Sequence, residues 1–265
     1  MREKQGICHQ LCHPLAKEFQ REKLSLVHEP SDDFFKSQWQ YQSKSLLWLM
    51  YRWLFALSFG VGVIGSLIES FCEGKWLIYL TDWGFLLCLY TGNFGAVLAT
   101  MHYCSQDKLA VHPLALKIYW ASYWTTLVMA TAITFIYWIF IFPIDGQSVW
   151  DLYNMWAHGF NSILMILDHM LVAFPSRIAH TAYPLVLGLV YGTFSMIYYF
   201  AGGLDTFGNR YIYPILDWSS PGMAILTWFS SLLMIFVLAL IHFGMYKLRI
   251  FIYRKITYSK STINI

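Results

Sequence analysis

Thr81, Asp82, His158, Asn161, Asp168, Tyr198 and Tyr199 are polar side chains set inside long apolar runs, and they are where chemistry could reside. Burying such groups in lipid without partners is expensive, so each must find a partner or water. His158, Asn161, Met165 and Asp168 follow i, i+3, i+7, i+10 spacing and therefore share one helix face. Asp82 and Asn93 are about three turns apart and share a face as well. Two polar stripes of this kind are best satisfied by facing each other or a wet cavity. Asp82 beside His158 would orient the imidazole and favour its charged form. The bland alternative is that these groups hydrogen-bond helices together, at about 0.6–2 kcal/mol each.

Other candidates point less clearly. Cys8-His9-Gln10-Leu11-Cys12-His13 puts i, i+4 metal donors on one helix face, but an unanchored tail does not give zinc a fixed geometry. A disordered tail is the first expectation there, with metal binding or palmitoylation behind it. The five cysteines are scattered, and no structural disulfide is expected. Pro175, Arg177, His180 and His242 read as interfacial positions. No G-x-S-x-G elbow, P-loop, H-E-x-x-H or dinucleotide fingerprint occurs, so no metal and no cofactor are expected.

The elements that must position these residues are legible from composition. Of 265 residues 57% are hydrophobic and only 12% charged, and mean hydropathy is +0.47. A soluble domain of this size needs more charge. Six apolar runs, 46–68, 77–100, 118–142, 155–174, 182–201 and 223–246, each approach the ~20 residues that cross a bilayer as a helix. They are continuously apolar, which disfavours a barrel. The fold class is therefore all-α: six transmembrane helices in one bundle (46–246), with an N-terminal tail (1–45) and a basic C-terminal tail (247–265).

Lys and Arg concentrate in both tails and in the second and fourth loops, so the positive-inside rule places both termini in the cytoplasm. Arg52, two turns into the first span, is expected to snorkel to that interface. The net charge of +3 thus reflects topology and argues for no nucleic-acid partner. This orientation sets Thr81, Asp82, His158, Asn161, Tyr198 and Tyr199 in one layer near the outer surface. Aromatics, 19% of the chain, gather at span ends as an interfacial belt, among them Trp48, Tyr51, Trp53, Trp76, Tyr137, Tyr213 and Trp218. Gly60, Gly62, Gly65 and Ser66 suit close helix contact.

Several of these segments resemble the rolling stone family of multipass membrane proteins. They are Phe34-Phe35-Lys36-Ser37-Gln38-Trp39, Tyr79-Leu80-Thr81-Asp82-Trp83-Gly84 and His158-Gly159-Phe160-Asn161-Ser162 with Asp168. Tyr198-Tyr199-Phe200-Ala201-Gly202-Gly203, Tyr211-Ile212-Tyr213-Pro214 and Leu216-Asp217-Trp218 continue the pattern. The resemblance implies a role in myoblast fusion or related development, and no known reaction. The chain is more distantly similar to the androgen-induced family of intramembrane threonine hydrolases, which cleave fatty acid esters of hydroxy fatty acids. That likeness rests on Trp76 through Thr81, Pro175-Ser176-Arg177 and Tyr213-Pro214. It implies Thr81 as nucleophile. The family's His-Gly-x-His pattern reads His158-Gly159-Phe160-Asn161 here, so the catalytic histidine position holds Asn161 and His158 would have to take the base role.

Two functions follow as expectations. In the first, the chain is a fusion-linked membrane protein whose polar layer is structural or binds lipid or a membrane protein partner. In the second, His158 activates Thr81 against a lipid ester, Asp82 or Asn161 orients the histidine, and Asp168 and Tyr198 support the site. The plasma membrane is expected over internal membranes. Transport is disfavoured, since no repeat is evident and no span is interrupted at mid-membrane.

Overall fold

Ser45 stops the polar segment and starts the first long helix: its hydroxyl accepts the amide of Trp48, satisfying one of the donors a helix start leaves open. The computed structural model describes residues 18, 20, 25–105, 111–145 and 152–263. Helix α1 (Leu46–Ser70) passes through a short 3-10 stretch (Cys72–Ile78) into α2 (Leu80–Cys104). His112 caps α3 (Pro113–Ile136) through its ring, and Pro113 opens the helix where its missing N–H costs nothing. α3 continues through a π-helical turn (Tyr137–Ile141) into Phe142–Asp145. α4 comprises Leu152–Met155, a second π-turn (Trp156–Phe160) and Asn161–Leu171. α5 is Ala182–Phe200 and α6 is Pro221–Ile263. Among the described residues the only β feature is an isolated bridge between Ser37 and Val172.

Six helices thus stand where six were predicted. Five are long and apolar enough to cross a membrane, while α4 is divided by its π-turn. Most of these helices carry an exposed apolar face, as lipid contact requires, but α3 is central and packs against α2, α4, α5 and α6. Its interior residues Tyr119, Trp120, Tyr123, Trp124 and Leu127 are almost wholly buried. Three α3 threonines (125, 126 and 131) return their hydroxyls to carbonyls four residues back, which removes their polarity from the core.

The segment before α1 packs beneath the bundle. Phe34 stacks on Phe174 at 5.2 Å, Ser37 and Trp39 donate to the carbonyls of Leu171 and Met170, and Trp48 donates to Phe35. Arg177 donates to the carbonyls of Ser25 and Val27 and lies over the Trp120 ring at 4.6 Å. Trp39 also meets Tyr253 of α6, so the N-terminal segment and the far half of α6 share one end of the bundle. The basic segment from 247 continues α6, which runs 43 residues without a break. The run Cys8–His13 lies outside the described residues.

Three local expectations are corrected by packing. Arg52 does not snorkel: it is 1% exposed and its Nη1 meets Asp168 Oδ1 at 2.7 Å. A carboxylate offered by α4 holds the guanidinium more favourably than a long reach to the interface. His180 and His242, expected at the interface, are both buried. Several residues of the supposed aromatic belt, including Trp76, Tyr137 and Trp218, are core residues, with Trp76 donating to Ser66 and Trp218 to Ser195.

Candidate functional site

At the end of the bundle away from the N-terminal segment, α2, α3, α5 and α6 leave a cavity. Its wall is apolar over most of its extent, with Met129, Ile133, Leu232 and Ile235 among the lining residues. One corner is polar. Thr81, in the first turn of α2, sets its hydroxyl 3.4 Å from the phenol of Tyr213, which comes from the loop between α5 and α6. The distance is long for an O–H···O bond, so both hydroxyls keep hydrogen-bonding capacity. Tyr191 closes the same side and donates to the Ile78 carbonyl at 2.9 Å. Burial pushes the Tyr213 phenol well above its ordinary range, so it is protonated and can donate.

The loop that carries Tyr213 is itself organised. Asp205 accepts from the amides of Phe207 and Asn209, Lys75 donates to the Asp205 carbonyl, and Tyr79 pairs with Thr206 at 2.8 Å. Tyr198 donates to the Leu204 carbonyl and folds over Gly203, where a Cβ would overlap its ring. Tyr198 therefore supports the loop and is not on the cavity wall.

His158 is placed differently. The two π-turns face each other, Trp138 donates to the His158 carbonyl at 2.8 Å, and the His158 ring stacks on Tyr137 at 3.5 Å and 7°. π-Turns insert one residue per turn and re-aim the side chains they hold, a device common at functional positions. Tyr137 lines the cavity and His158 stacks on that tyrosine, outside the lining itself. Among the described residues no hydrogen bond joins His158 to Thr81 or Asp82, and His158 Nδ1 has no partner. Asn161 bonds mainly to its own helix: its amide donates to Ala157 and its oxygen accepts from Ser162 and, at 3.4 Å, from Thr134 of α3. Asp82 is buried in the first turn of α2 and does not line the cavity.

Asp168 belongs to a second polar cluster at the other end. It accepts from Arg52 and, at 2.9 Å, from the Tyr51 phenol, while Arg52 also reaches Tyr119 at 3.1 Å. Gly95 makes room for this arrangement, since a Cβ there would collide with the Arg52 guanidinium and the Tyr119 hydroxyl. Nearby, Arg249 donates to the carbonyls of His169 and Phe174, neutralising the C-terminal end of α4. His242 pairs with Thr131 at 2.9 Å, and its carbonyl meets His169.

The predicted residues therefore divide: Thr81 lies on the cavity, His158 behind its wall, and Asp168 in the second cluster. Sequence reasoning assigned Tyr137 and Tyr213 to the aromatic belt, with Tyr213 also quoted as a motif residue, and missed His169 and the inward role of Arg249. His242, Tyr246 and Arg249 at i, i+4, i+7 were legible as one α6 face, but Arg249 was counted with the basic segment and His242 with the interface. No group of three or more metal-binding side chains occurs among the described residues.

Comparison with known proteins adds what geometry leaves open. The family model described as Protein rolling stone matches residues 5–264. Protein rolling stone of Drosophila melanogaster is 35% identical over 249 residues, covering 90% of each chain. No solved structure gives a significant match. A match along nearly the whole length, through the N-terminal segment, both clusters and the cavity, means that this multi-pass membrane protein belongs to the rolling stone family.

Proposed function

We propose that the chain is a plasma-membrane protein of cell fusion or related development, with both termini cytoplasmic, acting by contact with lipid and membrane partners rather than by catalysis. The identity to Drosophila rolling stone across both chains carries this reading. Thr81 turned toward Tyr213, and Asn161 engaged by Ala157, Ser162 and Thr134, support it, because neither is arranged to run a reaction. Depleting the protein from fusing myoblasts and counting nuclei per syncytium tests it. Fusion should fall and recover on re-expression of wild type and of Thr81→Ala alike. Unchanged fusion after complete depletion would remove the reading.

One observation favours a second reading, hydrolysis of a lipid ester. Thr81 and Tyr137 line the same cavity, and His158 stacks on Tyr137. Here Thr81 is the nucleophile and His158 the base, reached when the Tyr137 ring swings aside; Asp82 or Asn161 orients the histidine, while Asp168 and Tyr198 hold the frame. Wild-type protein should then be labelled by a serine/threonine-reactive phosphonate, and Thr81→Ala should lose the label while folding normally. The hydroxyl's loss costs the fold only about 1 kcal/mol. Absence of labelling in wild type ends this reading and leaves the first untouched.

A further inference from the structure

We infer that the cavity is a binding site for one uncharged acyl-ester lipid of the monoacylglycerol class, its alkyl chain on the apolar wall and its ester or hydroxyl on the Thr81–Tyr213 pair. The site concerns occupancy and holds whether or not Thr81 is a nucleophile; it names the lipid contact that the first reading leaves unspecified.

Three observations carry it. The walls are those of an alkyl site, apolar over most of their extent with the polar groups confined to one corner. The polar corner offers two hydroxyls at 3.4 Å, each able to donate and accept, which matches an ester carbonyl flanked by alcohols. Charge excludes the alternatives. Among the described residues no Lys, Arg or His lines the cavity, so a carboxylate or phosphate placed there would lose its hydration without gaining a counter-charge.

Access is consistent with a ligand from the bilayer. The helices that wall the cavity, α5 and α6, expose Leu189, Val190, Leu226 and Leu233 beside it, so an alkyl chain reaches it without crossing a polar surface. Trp228 braces the wall: it donates to the Gly188 carbonyl at 3.0 Å and packs where a Cβ on Gly192 would stand. The site is thus held open by a tryptophan fixed against two glycines.

The test uses full-length protein in neutral phosphatidylcholine nanodiscs and three photoactivatable, alkyne-tagged probes of equal chain length: a monoacylglycerol, a fatty acid and a lysophosphatidylcholine. The monoacylglycerol should label at least tenfold more than the fatty acid, map to peptides containing Gly188 or Trp228–Ile235, and be displaced by untagged monoacylglycerol. Ser231→Phe, which fills the cavity, should cut labelling at least tenfold, whereas Leu233→Phe on the lipid face should leave it unchanged. Tyr213→Phe should weaken labelling several-fold. Equal labelling by the fatty acid, or labels confined to lipid-facing residues, overturns the proposal. If Ser231→Phe does not fold, Thr227→Leu takes its place. Retained lipid binding with normal fusion after depletion would overturn only the fusion reading, and loss of cavity labelling with fusion still dependent on the protein would overturn only this one.

Discussion

Replacing Asp168 by asparagine removes one charge from the least exposed ion pair of the bundle. Both side chains are at most 2% exposed, and the carboxylate accepts from Arg52 at 2.7 Å and from Tyr51 at 2.9 Å. Asparagine keeps the shape but leaves the Arg52 guanidinium facing neutral phenols only. Breaking a buried pair from one side costs about 3–5 kcal/mol, because the surviving charge stays desolvated. For a chain of this length that corresponds to a fall in melting temperature of roughly 6–20 °C. Thermal unfolding in detergent, followed by the monodisperse peak in size-exclusion chromatography, measures it. Removing both partners in Arg52→Met/Asp168→Leu should recover most of the loss, since no charge is then stranded. A single variant melting within about 2 °C of wild type, or a double variant as unstable as the single losses combined, would refute the reasoning.

Gly95→Ala should destabilise by about 1–3 kcal/mol through the same cluster, since its methyl meets the Arg52 guanidinium and Tyr119; a neutral result in the same melt would disprove the close approach. Trp39→Phe strips the donor from the Met170 carbonyl and should speed proteolysis before α1 while the bundle's melt changes little; equal cleavage rates would deny the docking. At Asp33 burial raises the carboxyl, but hydrogen bonds and charge from His28 and Lys36 outweigh it and leave it below its ordinary value near 3.8. Its contribution is therefore complete above that value and lost as pH falls through the lower folded value. A nitroxide on Ser31 should become mobile as pH falls below the ordinary value of 3.8 in wild type, with no such transition in Asp33→Asn. A glycosylation acceptor introduced at the exposed Phe207 should be modified in microsomes and one after Tyr258 should not; the reverse pattern would invert the proposed orientation.

The helices were legible because lipid forces one solution on an apolar run, but run length does not give the end of α6, which continues through the basic segment to Ile263. What escaped was the interior pairing. Arg52 read as a snorkelling residue because a sequence shows depth and not which helix stands opposite; only folding brings Asp168, 116 residues away, to it. The α4 stripe was correctly seen as one face, with Asn161, Met165 and Asp168 all buried, yet it serves two places along the bundle. His158 is shifted from the simple helical register by a π-turn, which residue spacing at 3.6 per turn does not disclose. Tyr213 was hidden in a loop, where no periodicity marks a side chain as inward.

The contact between the N-terminal segment and the end of α4 sets an order on synthesis. Trp39 and Met170 lie 131 residues apart, so the segment emerges from the ribosome long before its acceptor exists. Translation at ~5–20 residues per second leaves it waiting for roughly 7–25 seconds while the first four helices are inserted. Phe35 stacks on His102 and Phe34 meets Tyr119 and Trp120, but the stacking partner of Phe34, Phe174, arrives only at the end of that interval. Completed docking of this segment therefore reports that the first four helices have assembled, and a chain stalled in α3 leaves Phe34 without Phe174 and Ser37 and Trp39 without their carbonyl acceptors.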